Sequence, residues 1–235
     1  MYEDCFESKI NGKSCIKGNK IYGIGNIRVS VHYTHWIVNN LDCNSVLDIG
    51  CADGIIESVL ENKKYIGVDI GADIYKRSEK ENIFYIENYE ELKSFIKKNT
   101  VDFTILYDVL EHTFDFTDLF ISALESSNKY CLVSLPNEEN IRNRIAFLFG
   151  KGLEIHKLDM YGKHVNHRHL WLIQINKAIK ILEKEANKFG FEIDKIYYYH
   201  SLPTTKYKQY IYKFVTDKLP ESLSSSGFAV LFRKI

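Results

Sequence analysis

From residue 46 onward, short apolar runs alternate with stretches of helical rhythm. Val46, Leu47 and Ile49, with an acid among them, predict a short buried strand, and runs at 64–69, 83–86, 101–107, 130–135, 191–198 and 228–232 predict six more. Between them the spacing predicts helices over 55–61, 72–81, 90–98, 116–127 and 176–189, with Gly190 stopping the last. Alternation of strand and helix argues for a parallel sheet covered on both faces, an α/β architecture. The rhythm breaks over 137–175 and again over 201–226. Both breaks begin at the carboxyl ends of strands, the edge where open α/β sheets bind ligands, so both are expected to be substrate-side insertions. Before this domain, 46–235, lies an N-terminal extension and helix, 1–45. Paired turn residues such as Asn11-Gly12 and Gly18-Asn19 predict hairpin strands in residues 1–27, and 28–42 has a helical rhythm.

The first run carries the most chemistry. Gly50 and Gly54 bracket a tight turn between it and the helix expected from Ile55. Glycine lets backbone approach a ligand, and the free N–H groups of a helix N-terminus bind it. Asp48 is costly to bury without a partner, and it can accept hydrogen bonds from a ligand's amine or from the turn. The next strand ends in Asp69, where an acid in doubly wound sheets bonds ribose hydroxyls. A nucleotide-like cofactor therefore fits across the two strand tips. The spacing within Gly50-Cys51-Ala52-Asp53-Gly54 is not that of the dinucleotide fingerprint.

Asp48 through Gly54, with Asp69, resembles the first motif of the class I S-adenosylmethionine-dependent methyltransferases, an acid-x-Gly-x-Gly-x-Gly loop after a strand. Ala52 stands at the middle glycine. The resemblance spans about 46–235. It implies a Rossmann-like doubly wound sheet of seven strands with the last antiparallel, and S-adenosylmethionine as cofactor. The implied cofactor-binding set is Asp48, Gly50, Cys51, Ala52 and Gly54 at the loop, Asp69 and Ile70 at the second tip, Asn88 at the adenine, and Tyr107 and Asp108 at the methionine end. Asn88 stands where the family usually has an acid, and its side-chain oxygen can accept the same bond.

Tyr107-Asp108-Val109-Leu110-Glu111-His112 resembles a D-V-L-E-H segment of one branch of that family. His112 has the chemistry of a general base; the alternative is that Glu111 and His112 brace the following loop. Asp108-x-x-Glu111-His112 also resembles the metal ligands of small-RNA 3′-terminal methyltransferases and of some quinone-biosynthesis O-methyltransferases. With a distal histidine, these groups would share a divalent cation. The metal-free reading is preferred, and no residue is assigned as a ligand.

The break at 137–175 holds four of the eight histidines, His156, His164, His167 and His169, with Arg142, Arg144 and Arg168. Leu135-Pro136-Asn137, Asn143-Arg144, Leu148-Phe149-Gly150 and His167-Arg168-His169-Leu170 resemble a bacterial subgroup with a P-N…N-R-L…L-G…R-T-H-L pattern. Its members are often found among enzymes that decorate glycans and polyketide-like metabolites. That makes His167 a second candidate base. The implied activity is O-methylation of a small molecule or of a sugar or glycan precursor. The alternatives are metal-dependent methylation of an RNA end or a nitrogen, and an inactive partner subunit of the same fold. Two intact acids, Asp48 and Asp69, speak against the last.

Composition narrows the partners. Lysine plus arginine and aspartate plus glutamate number 31 each, and the pI is about 7.1. That balance argues against a broad electrostatic footprint on nucleic acid and for a small-molecule acceptor. Five cysteines, an odd number with no C-x-x-C pair, fit a reducing compartment and argue against a zinc site or a disulfide scaffold. The N-terminus has no apolar leader, and no apolar run approaches a membrane span, so a cytoplasmic protein is expected. Tyr207, Tyr210 and Tyr212 with Lys206, Lys208 and Lys213 offer an aromatic-basic surface, for which helix packing is the preferred explanation.

Overall fold

The computed structural model describes residues 4–8, 12–25, 28–70, 80–153, 156 and 169–235. Its strands are β1 (Asp4–Ser8), β2 (Gly12–Lys17), β3 (Lys20–Gly25), β4 (Ser45–Ile49), β5 (Lys64–Asp69), β6 (Ile83–Tyr85), β7 (Val101–Tyr107), β8 (Ser127–Pro136), β9 (Phe191–Leu202) and β10 (Gly227–Lys234). They form one sheet in the order β1-β2-β3-β9-β10-β8-β7-β4-β5-β6. The mixed α/β, Rossmann-like architecture matches expectation. The strand count is corrected from seven to ten, because the N-terminal hairpins join the sheet. β3 pairs in parallel with β9, Lys20 opposite Tyr198 through Ile24 opposite Leu202. Without it β9 would present an open edge of unpaired backbone groups. β10 runs antiparallel to both β8 and β9.

The helices are α1 (Val29–Trp36), α2 (Tyr89–Lys98), α3 (Asp118–Ser126), α4 (Ile141–Leu148), α5 (Ile175–Lys188), α6 (Lys206–Thr216) and α7 (Glu221–Ser224). α2 shows why such a segment is helical: Leu92 and Ile96 bury one face, Asn88 caps the start, and Lys97 and Lys98 suit the C-terminal dipole. α2, α3 and α5 cover the sheet face that holds Leu47, Ile49, Val68 and Phe232, with Phe120 of α3 packed on Phe232. The other face buries Val46, Phe103, Ile105 and Leu132 with Val31, Tyr33 and Ile37 of the α1 region.

Three expectations need adjustment. The helix expected over 55–61 is only a 3-10 turn, Ile55–Val59, which ends where Leu60 takes extended backbone (φ −73°, ψ 138°). The helix expected over 72–81 falls almost wholly outside the described residues. Cys15 is disulfide-bonded, which corrects the expectation of reduced cysteines. The backbone register of the hairpin sets Cys5 opposite it. Cys43, Cys51 and Cys131 are free and buried.

The seam between β3 and β9 tests whether the N-terminal extension belongs to the fold. A Cβ on Gly23 would lie 1.9 Å from the Tyr199 hydroxyl, and Tyr199 is itself buried. Gly23→Ala should cost about 1–3 kcal/mol by overpacking, read as a fall in Tm of roughly 2–4 °C per kcal/mol. An unchanged Tm would mean that the extension is not packed on β9 in solution.

Candidate active site

The carboxyl tips of β4, β5 and β7 meet at one cavity of about 750 Å³, a size suited to a nucleotide-like ligand. Strand alternation builds it. Leu47 and Ile49 point into one core layer, and Val46 and Asp48 point the other way. Asp48 is 2% exposed, and its Oδ2 accepts a 2.8 Å hydrogen bond from the Tyr65 hydroxyl. Burial pushes its carboxyl up to about 7, against the pull of the Tyr65 bond; Asp69 and Asp53 add to the rise.

The glycine turn is tied to β5. The N–H groups of Gly50 and Cys51 both donate to Val68 O, at 2.8 and 3.1 Å. Gly50 has φ +80°, and a Cβ there would lie 2.4 Å from Val109 Cγ2, so only glycine fits. Ala52 holds φ +51°, an uncommon conformation for a residue with a side chain. Its N–H donates to Asp69 Oδ2 at 2.7 Å, and its carbonyl accepts from the Tyr85 hydroxyl at 3.0 Å. Arg28 reaches over from the start of α1 to bond Asp53 through two nitrogens, at 2.7 and 2.9 Å.

Asp48, Gly50, Cys51, Ala52, Asp69, Ile70, Tyr107, Asp108 and His112 all line the cavity. Gly54 and Asn88 do not. The Asn88 side chain is spent on capping α2, its Oδ1 accepting from Glu91 N at 3.0 Å, and Tyr89 lines the cavity beside it. That does not match the adenine contact expected of Asn88. His167, with His164 and Arg168, lies outside the described residues.

A second layer of acids and imidazoles stands behind His112. Asp108 follows β7 at φ +52°, and its Oδ1 accepts from Ser134 Oγ at 2.9 Å. Its crowded setting moves its pKa upward, against that bond. Glu111 is 0% exposed, and among the described residues neither carboxylate oxygen has a hydrogen-bond partner. Burial, with Asp108 and Glu138 nearby, drives its pKa well above the usual range. His169 comes back from the break at 137–175 beside it: its ring lies 4.8 Å from that of His112, and its Nε2 3.9 Å from Glu111 Oε1.

Glu138 was not foreseen, although it directly follows the Leu135-Pro136-Asn137 segment. It is buried, and Oε1 meets His156 Nε2 at 2.9 Å and His169 Nδ1 at 2.7 Å, while Oε2 accepts from Ile173 N at 2.8 Å. Burial raises its pKa, but these bonds outweigh it and hold the carboxyl below the usual range. An ionised Glu138 only accepts, so both rings donate to it. A neutral His169 so oriented turns the lone pair of its Nε2 toward Glu111 and His112. Glu111, His112 and His169 each offer an atom within 4.8 Å of the others, as do Glu138, His156 and His169. The first trio suits a divalent cation, since Glu111 has no other partner; in the second, the imidazoles already satisfy Glu138.

A family model described as a methyltransferase domain matches residues 31–196. None of the curated proteins matches this sequence. Among solved structures, the chain is similar to a SAM-dependent methyltransferase from Archaeoglobus fulgidus, at 18% identity over 88% of this chain and 93% of that one, with a TM-score of 0.57. It is similar to a SAM-dependent methyltransferase from Thermotoga maritima described as a possible histamine N-methyltransferase, at 14% identity over 88% of each chain and TM-score 0.53. It is also similar to the small RNA methyltransferase HEN1, at 16% identity over 87% of this chain and 24% of that one, with a TM-score of 0.52. At these identities the likeness is one of fold.

The state of Asp48 gives a pH dependence of binding. The folded protein holds its proton up to about 7, against an ordinary 3.8. Folding therefore favours the protonated acid, and this group's contribution to stability falls as pH rises between those values. A cationic ammonium seated against Asp48 favours the ionised form instead. Affinity for S-adenosylhomocysteine should climb as pH rises through about 7, measured by calorimetry, and Asp48→Asn should bind weakly with a flat profile. A wild-type affinity independent of pH would contradict this placement of the amine.

Proposed function

The chain belongs to the methyltransferase-domain family, and from that premise we propose that it methylates an oxygen of a small molecule or of a sugar or glycan precursor, with His112 as the base. The observation that carries the reading is that one cavity runs from Asp48 and Asp69 to His112. Its S-adenosylmethionine, when bound, supplies a methyl group on a positively charged sulfur. The residues present fit that ligand: a buried acid for its amine, a close-approach glycine at position 50, and a second acid at the β5 tip.

In this reading Asp48 and the Gly50–Ala52 backbone hold the methionine portion, and Asp69 with Ile70 holds the ribose. Asp69 already fixes Ala52, so it sets the loop as well as meeting the ligand. Tyr107 and Asp108 form the wall between the cofactor's methionine end and the acceptor. The acceptor enters beside Thr113 to Asp115, where Trp171 Nε1 pins the loop by a 2.7 Å bond to Thr113 O. His112 takes the hydroxyl proton at a ring nitrogen as the oxygen is methylated. Alignment and proton removal are most of what the protein must supply. His167, two residues before His169, is the second candidate.

One observation favours a second reading. A carboxylate as buried as Glu111, with both oxygens unpartnered, is the setting of a cation ligand. An ion held by Glu111, His112 and His169, with Asp108 near, would lower the pKa of a bound hydroxyl and replace the base. That chemistry extends to the terminal hydroxyl of an RNA.

The test is a screen of sugars, small hydroxylated acceptors and small amines for release of S-adenosylhomocysteine, with and without a chelator. The first reading expects turnover with a small acceptor, unaffected by chelation. His112→Ala should lower it by on the order of a hundredfold, a loss that shrinks as pH rises. Activity abolished by chelation and restored by divalent cation would move the assignment to the second reading. Turnover confined to nitrogen acceptors would contradict both.

A further inference from the structure

Two helices on the carboxyl edge of the sheet carry their apolar stripes outward. In α6, Tyr207, Tyr210, Ile211 and Phe214 stand at i, i+3, i+4 and i+7, the spacing of a core-facing stripe. They are nevertheless 73, 74, 44 and 58% exposed. The opposite side faces the protein, where the Tyr212 hydroxyl donates to Ser224 O at 3.2 Å. In α4, Ile141, Ile145 and Leu148 stand at i, i+4 and i+7, Leu148 is 80% exposed, and no residue of the helix is buried. Both helices are anchored at α7: Asn137, ahead of α4, donates to Ser222 O at 3.0 Å, two residues from the Ser224 carbonyl that Tyr212 of α6 bonds.

Charge is segregated in the same place. α4 and α6 hold Arg142, Arg144, Lys206, Lys208 and Lys213 and no acid. The remainder of the chain then has 26 basic against 31 acidic residues. Two of the five cations have local partners, Arg144 on Glu139 and Lys213 over the Tyr22 ring.

We propose that α4 and α6 seat the protein on an anionic lipid surface, with the apolar stripes at the headgroup–acyl boundary and the bases against lipid phosphates. Exposed aliphatic and aromatic side chains flanked by cations are the composition of an interfacial helix, and such a helix lies on the membrane without crossing it. No helix among the described residues is long and apolar enough to cross. Ile145, Leu148 and Ile211 have no π-face for a nucleobase to stack on. A second copy of the chain would bring like charges together. The proposal holds whichever acceptor the site takes.

The test is co-sedimentation of the full chain with vesicles of phosphatidylcholine alone or of phosphatidylcholine with phosphatidylglycerol. Binding should be at least about tenfold stronger to the anionic vesicles and should weaken with salt. Leu148→Ser with Phe214→Ser should lower it about tenfold or more. Both residues are exposed, so Tm and S-adenosylhomocysteine binding should hold. Lys206→Glu with Lys208→Glu should abolish the preference for anionic lipid. The proposal is overturned by no binding to anionic vesicles, or by equal binding to both compositions. It is also overturned by a dimer in light scattering that the serine variants dissolve, or by retention of single-stranded RNA without vesicle binding.

Discussion

Asp48 sits at the end of β4, 2% exposed, with a single side-chain bond, 2.8 Å from the Tyr65 hydroxyl. A lone ionised carboxylate in such a place costs several kcal/mol, and the rest of the site is arranged around that cost. The group lowers it by keeping its proton up to about 7. The turn that follows has its own N–H groups committed to Val68 O, so none of that pair is spent on Asp48. What would compensate the acid fully is a cation entering from the cavity. The same tip is made rigid from three sides, by β5 through Val68, by Asp69 through Ala52, and by α1 through the Arg28–Asp53 pair. A ligand binding there meets a loop already in place, which spares the entropy of ordering it.

The second layer follows the same accounting of buried acids. Glu138 and Glu111 are both buried, and they differ in what they meet. Three donors reach Glu138, which stays ionised and fixes the orientation of His169. None reaches Glu111, which favours its neutral form. Glu138 thus reads as a brace, while Glu111 is a group held for a proton or a cation. We propose His112 as the base because it lines the cavity; His169 stands behind it, bonded to Glu138.

Much of this was legible in the residues. The short apolar runs marked the strands from β4 on, and the pairing of Asp48 with Asp69 across a glycine turn marked the cavity. Failures have physical causes. Residues 4–25 read as hairpins, but nothing local says that β3 will pair with β9, a contact more than 170 residues distant. The turn at 55–59 has the apolar spacing of a helix but ends at Leu60, whose extended backbone the apolar pattern does not show. Asn88 was read as an adenine contact from its place after a strand, yet an asparagine before Tyr89-Glu90-Glu91 is also a good N-cap. Glu138 was passed over because a lone acid after Pro-Asn has no pattern. Its role appears only when His156 and His169 return to it. α4 and α6 fall in the two stretches where no helical rhythm was read, and which side of a helix faces water is decided by the tertiary packing.

The central claim is that the cavity above β4 and β5 holds S-adenosylmethionine. Titration calorimetry of S-adenosylhomocysteine into the wild-type protein, with circular dichroism confirming the fold, tests it most directly. The account predicts saturable binding at one site per chain. A folded chain that gives no binding heat at any temperature tried, and no rise in Tm with saturating ligand, would contradict it.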